Sequence, residues 1–187
     1  MRAVPEAGRG SAGAGRSATR LLARRRVALG FISSVVVIVA ARPTWTSMVW
    51  GAAVGAVGEG IRLWAAGHVE KNREVTSSGP YRFTRHPLYA GSSVMALGVV
   101  VATRSIVATL VVILYMVLTI GAAVRTEEAD LRARFGDAYD AYAQSRGPRA
   151  SRRFSLERAW RNREHRAVAG LLLFLVLLAG RTWLAGR

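Results

Sequence analysis

Residues 88–124 read LYAGSSVMALGVVVATRSIVATLVVILYMVLTIGAAV, two apolar runs parted by little more than Thr103-Arg104-Ser105. So short a break predicts a tight helical hairpin, which returns the chain to the face it left. The residues before Leu88 and those after Val124 therefore meet at one end of the fold. The first flank is Gly79-Pro80-Tyr81-Arg82-Phe83-Thr84-Arg85-His86-Pro87-Leu88-Tyr89-Ala90-Gly91, polar, aromatic and rich in turn formers. The second is Arg125-Thr126-Glu127-Glu128.

Working outward, three more apolar segments appear: Val27–Ala41, Thr44–Gly67 and Ala167–Ala185. A membrane-spanning helix needs about 20 mostly apolar residues. Thr44–Gly67 and Ser105–Val124 reach that length. Val27–Ala41 and Leu88–Thr103 are short and need their flanking residues, with arginine side chains reaching toward the interface. The last segment is interrupted by Arg181 and ends on Trp183-Leu184, an interfacial pattern. The expected fold is all-α: a polytopic membrane helical bundle of about five transmembrane helices over 27–41, 44–67, 88–103, 105–124 and 167–185. Residues 1–20, rich in Gly, Ala, Ser and Arg with Glu6 the one acid, are expected to form a disordered basic tail. Residues 21–187 then form a single domain. Arg24-Arg25-Arg26 followed by Val27–Val39 also fits a secretory signal, whose removal would leave four spans.

The chain carries a formal net charge of +16, which ordinarily raises nucleic acid as a partner. The distribution argues otherwise. Of 27 Lys and Arg, 22 fall in residues 1–26, 68–87 and 125–166, on one side of a five-span arrangement. That bias follows the positive-inside pattern, so the amino terminus and both polar loops are expected to be cytoplasmic, with no nucleic-acid role. The chain has no cysteine, which excludes disulfides, thiolate catalysis and cysteine-ligated metal. Its three histidines share no ligand-like spacing, so no metal site is expected.

Each flank of the hairpin can do chemistry. Proline fixes the backbone at Pro80 and Pro87, and Pro87 suits the first turn of the helix that follows. The amides of that helix start can receive a carboxylate. His86 reads as a hydrogen-bond donor, a general base or a turn-stabilising side chain. Glu127 and Glu128 do not share a helical face, so one can enter a site while the other meets water or a cation. An inward carboxylate suits an ammonium- or sulfonium-bearing cofactor; taken alone, the pair also reads as solvated charge at a helix boundary. Glu59 and Arg62, three apart within an apolar segment, read equally as a functional pair or a structural one. From Thr126 to Gln144 a polar stretch with Phe135, Tyr139 and Tyr142 at helical spacing reads as an interfacial helix, divided at Gly136. Residues 149–166 read as a basic amphipathic stretch on anionic lipid headgroups. The sequence contains neither a phosphate-cradling glycine loop nor a nucleophile elbow.

In order and spacing, Gly79-Pro80-Tyr81-Arg82, Arg85-His86-Pro87-x-Tyr89-x-Gly91, Glu127-Glu128-x-x-Leu131 and Phe135-Gly136-x-x-Tyr139-x-x-Tyr142 resemble the isoprenylcysteine carboxyl methyltransferase and phospholipid methyltransferase superfamily of integral membrane enzymes. The resemblance covers roughly residues 58–148. It implies S-adenosyl-L-methionine as cofactor, with contacts from Tyr81, His86, Pro87, Leu88, Tyr89 and Glu127, and from Lys71, Val75 and Thr76 in the preceding loop. Glu127 is expected to meet the cofactor's ammonium and the helix start its carboxylate. Arg125 and His86 are expected at the reacting groups, with Arg62 the alternative to Arg125 for the substrate side. The acceptor is a lipophilic or amphipathic molecule: the carboxylate of a prenylcysteine-like compound or a headgroup amine. The chain departs from the family's pattern after Tyr142, where a basic stretch and another apolar segment follow. Two other readings remain: an NADPH-dependent membrane reductase of similar architecture, and a non-catalytic lipid-binding helical protein.

Overall fold

A computed structural model describes residues 28–70, 73–144, 146 and 151–185. The expected basic tail and Lys71 lie outside the described residues. The described chain is all-helical, with no strand. Its helices are α1 (Ala28–Ala40), α2 (Trp45–Ala66), α3 (Pro87–Thr103), α4 (Ile106–Phe135), α5 (Asp137–Ala143), α6 (Leu156–Arg161) and α7 (His165–Ala185), with a 3-10 turn at Gly79–Arg82.

Local chemistry accounts for the boundaries. Thr44 and Ser47 form a reciprocal capping box at the start of α2. The Ser47 hydroxyl also donates to Ala102 O at 3.0 Å, and Arg42 N donates to Thr103 O at 2.8 Å. These bonds tie the α1–α2 turn to the end of α3. The α3–α4 hairpin turns on Arg104, in the left-handed region at φ 48, and on Ser105, whose hydroxyl caps α4. Helix α4 runs on well past its apolar stretch, because Glu, Ala, Leu and Arg sustain a helix as well as Val and Leu do. It stops at Gly136, φ 47 and ψ −122, conformational space that only glycine enters freely.

The rigid centre is the α2–α3 pair. The two helices run antiparallel along a glycine seam: Gly51 faces Gly98 and Ala102, and Gly58 faces Gly91 and Met95. A Cβ on Gly58 would lie 2.5 Å from Met95 N and 2.7 Å from Gly91 O. Backbones can approach so closely only where side chains are absent. Helix α7 packs antiparallel to α2. Leu178, fully buried, joins Ala41, Met48 and Ala102 in the core, and Arg181 Nε donates to Ala41 O at 3.1 Å.

By length and composition, α4 and α7 are the helices long and apolar enough to cross a membrane. Helices α1 and α3 are apolar but shorter. Helix α2 has the 22 residues expected of a span. It is diluted by four glycines and by Glu59 and Arg62, and does not qualify on composition. Among the described residues, the five expected segments therefore all form helices, and two of these are long and apolar enough to span.

Candidate active site

A cavity of about 510 Å³ lies where the hairpin brings its two flanks together. One wall is a single face of α4. Thr119, Ala122, Ala123, Thr126, Glu127, Asp130, Leu131 and Arg134 recur at helical spacing, so the wall grades from apolar to charged along one helix. The opposite wall is the segment Val69, Glu70, Glu74, Val75 and Thr76, together with Tyr81. Arg85, Leu88 and Tyr89 border it at the start of α3, Tyr139 and Tyr142 from α5, Arg62 from α2, and Glu164 from the turn before α7.

The two adjacent glutamates diverge, as residues about 100° apart on a helix must. Glu127 borders the cavity. Glu128 turns to the start of α3, where His86 Nε2 donates to its Oε1 at 3.1 Å and Arg85 lies 3.4 Å away. Arg132 completes the cluster at 3.7 Å from Oε2. These partners, His86 first and then Arg85, hold the Glu128 carboxyl below the usual carboxylate range. Ionised, it can only accept, which assigns the proton of that bond to His86 Nε2.

Of the residues expected at the site, the cavity gathers Val75, Thr76, Tyr81, Leu88, Tyr89 and Glu127. His86, Pro87 and Arg125 do not border it. His86 is turned to Glu128 and stacks near Tyr89, ring centroids 5.8 Å apart, while Pro87 is buried in the first turn of α3. Arg125 is exposed, on the far side of α4 from the cavity stripe. The α3 start is also partly spent: the amides of Tyr89 and Ala90 both donate to His86 O.

Arg62, the alternative to Arg125, does face the cavity. Its guanidinium grips Glu164 with two bonds of 2.8 and 3.1 Å, donates to Ser92 Oγ and lies 3.6 Å from Glu59. One side chain thereby joins α2, α3 and the start of α7. Sequence reasoning recognised the Glu59–Arg62 spacing but had no signal for Glu164, 102 residues away. It also did not single out Asp130 and Arg134, which share the helical face of Glu127 and were readable from that periodicity.

The tyrosines close the charged end. Tyr142 donates to Tyr81 O at 3.0 Å, fixing α5 against the 3-10 turn. Tyr139 is almost wholly buried, lies beneath the Arg132 guanidinium, and its hydroxyl has Arg85 nearby but no well-formed hydrogen bond. Burial raises both phenols, Tyr142 to about 12, so both keep their protons through the physiological range.

Comparison with known proteins fits this architecture. Residues 56–138 match the phospholipid methyltransferase family. The chain is similar to a cobalt-zinc-cadmium resistance protein of Cupriavidus metallidurans, 37% identical over 52% of this chain and 45% of that protein. It is also similar to a nickel-cobalt-cadmium resistance protein of Alcaligenes xylosoxydans xylosoxydans, 35% identical over 52% of this chain and 46% of that one. A third relative, the protein-S-isoprenylcysteine O-methyltransferase of Schizosaccharomyces pombe, is 35% identical over 38% of this chain and 30% of its own length. The chain spans less than half the length of each of these relatives. No solved structure is significantly similar. The segment that matches the phospholipid methyltransferase family, residues 56–138, carries the cavity's α2, α3 and α4 walls, while Tyr139 and Tyr142 of α5 lie just beyond it.

Proposed function

We propose that this protein is an integral membrane methyltransferase that uses S-adenosyl-L-methionine to methylate a lipophilic or amphipathic acceptor. The carrying observation is the α4 wall, which passes within one cavity from the charged Glu127, Asp130 and Arg134 to the apolar Ala122 and Ala123. A charged cofactor and a greasy acceptor need such a graded surface. The cavity's volume falls in the ordinary range for small-molecule sites, roughly 300–1,000 Å³.

The residues present suit the cofactor. Glu127 and Asp130 border the cavity and would hold its ammonium; Arg85 and the start of α3 would face its carboxylate. Tyr81, Leu88 and Tyr89 would bracket the remainder, with Val75 and Thr76 on the opposite wall. When bound, the cofactor supplies a methyl group already activated on a sulfonium, so the protein's task is alignment. His86 takes part by tying α3 to α4 through Glu128, which sets the spacing between the two walls. Arg62, neutralised by Glu164, lines the acceptor side. The acceptor reading follows the relatives: the carboxylate of a prenylcysteine-like compound or the amine of a lipid headgroup.

In the same reading the chain crosses the membrane five times, with α1, α2 and α3 completed as spans by their flanking residues. Its amino terminus and catalytic loops face the cytoplasm, on the strength of the arginine bias. Titration of purified protein with S-adenosylmethionine, S-adenosylhomocysteine and NADPH tests the function. Saturable binding of the two sulfur compounds is expected. Binding of NADPH alone, or of none of them by folded protein, overturns the proposal. Incubating membranes with methyl-labelled cofactor would then name the acceptor.

A further inference from the structure

The segment 151–164 lies beyond the family-matched residues, yet it is bonded to the loop that walls the cavity. Arg158 Nε donates to Glu70 Oε1 at 2.8 Å, and its Nη1 donates to Gly67 O. Arg152 meets Glu74 at 2.8 Å, and Arg161 meets Glu70 at 3.4 Å. Asn162 donates to both Ala66 O and Val69 O, at 2.8 and 3.0 Å, and Ser155 N donates to Gly67 O at 3.1 Å. The Phe154 ring occupies the space that a side chain on Gly67 would need. The arginine-rich stretch expected to lie on lipid headgroups thus spends three of its guanidiniums on two cavity-wall glutamates.

Among the described residues, the loop's own hydrogen bonds between Glu70 and Thr76 are two long ones, Glu70 N to Thr76 Oγ1 and Arg73 N to Glu70 O, each 3.4 Å. The Arg158 and Glu70 side chains are 15% and 18% exposed. Guanidinium is also the group suited to holding a carboxylate and a carbonyl at once, because its donors diverge in a fixed plane.

We propose that residues 151–164 form a strap that completes the binding site, with Arg158 the positioning residue. By holding Glu70 and Gly67 O, it keeps Val69, Glu70, Glu74, Val75 and Thr76 in the geometry that closes the cavity opposite α4. The strap's effect on ligand affinity rests on the methyltransferase reading; its effect on the wall does not.

The test uses the full chain in detergent or lipid discs, with residue-resolved hydrogen exchange on ligand-free protein and titration with S-adenosylhomocysteine. Arg158→Ala and Glu70→Ala are each expected to speed exchange at Val69, Glu70, Glu74, Val75 and Thr76 about tenfold, the scale of one charge-assisted bond. Exchange in α2 and α3 is expected to stay unchanged. Arg158→Lys is expected to fall between, and the exposed Glu157→Ala to match wild type. Affinity for S-adenosylhomocysteine is expected to drop about tenfold in Arg158→Ala, in step with the exchange. Unchanged wall exchange, or acceleration spread evenly over α2 and α3, overturns the strap. A loosened wall with unaltered affinity in a wild type that binds overturns its role in the site. A loosened wall in a protein that binds no S-adenosylhomocysteine in any form supports the strap and refutes the cofactor reading.

Discussion

Glu127 and Glu128 are one bond apart in chemistry and do opposite work. Glu128 is consumed by His86, Arg85 and Arg132, while Glu127 borders the cavity. Glu127→Gln is therefore expected to weaken S-adenosylhomocysteine binding about 10- to 150-fold, the worth of a hydrogen bond to a charged group at ~1.5–3 kcal/mol. Glu128→Gln is expected to lower thermal stability by about 1 kcal/mol with a smaller change in affinity. Titration and melting of both variants check this; equal effects on affinity would refute the division. The same residues set an acid limit. Glu128 and Glu70 both have folded-state values below the ordinary 4.5, the latter through Arg158 first, then Arg161 and Arg152, with Glu74 sharing Arg152. A depressed carboxyl contributes stability above its unfolded value and loses it as pH falls through the folded one. Stability should therefore hold from neutral pH down to about 4.5 and decline below that. In Glu70→Gln the decline should be shallower, which melting temperatures from pH 3 to 7 would show on a scale of roughly one proton.

At the scale of elements, the fold depends on positions where a side chain is not tolerated. Gly58 is enclosed by the backbone of α3, which cannot give way as a flexible side chain could. Gly58→Ala should push α2 from α3 and cost about 1–3 kcal/mol. Gly60, two residues on with nothing within 4 Å, should accept alanine without loss. Gly136 is the converse case: space is free, but the backbone conformation is not. Gly136→Ala should cost about 1–3 kcal/mol and detach α5, releasing the Tyr142 bond to Tyr81 O. Thermal melting of the three variants separates steric from conformational cost. Sequence periodicity reached most of this level. The Thr103-Arg104-Ser105 break, Pro87 at a helix start and the glycine of Phe135-Gly136 are local signals, and each marks a boundary in the structure. The strap was out of reach for a physical reason. Arg158 and Glu70 are 88 residues apart, and a basic amphipathic stretch looks the same whether its counter-charge is a phosphate or a distant glutamate. His86 shows a related ambiguity: its residue type admits several chemistries, and the sequence did not show that Glu128 would be its partner.

At the scale of the molecule, the surface is as informative as the core. Phe31, Val39, Val49, Trp50, Leu110, Leu114, Val117, Leu172, Leu173 and Val176 all stand exposed on the long helices. So many exposed apolar side chains are costly in water and suited to hydrocarbon. The charged groups gather at the opposite pole from the α1–α2 and α3–α4 turns. Arg62, Glu70, Glu127 and Arg158 all belong to the cavity or its strap, whereas Arg42, Arg104 and Arg181 lie near the turns. This polarity makes the five-span reading testable directly. The chain has no cysteine, so single cysteines can be introduced without background. Arg104 and Arg153 are exposed and lie at the two poles. In sealed cells, Arg104→Cys should react with a membrane-impermeant maleimide added outside, and Arg153→Cys should react only after permeabilisation. Labelling of both from one side would overturn the topology. Because α3 and α4 would then no longer cross the membrane as a pair, it would also remove the reason for the two flanks of the hairpin to share the cytoplasmic face.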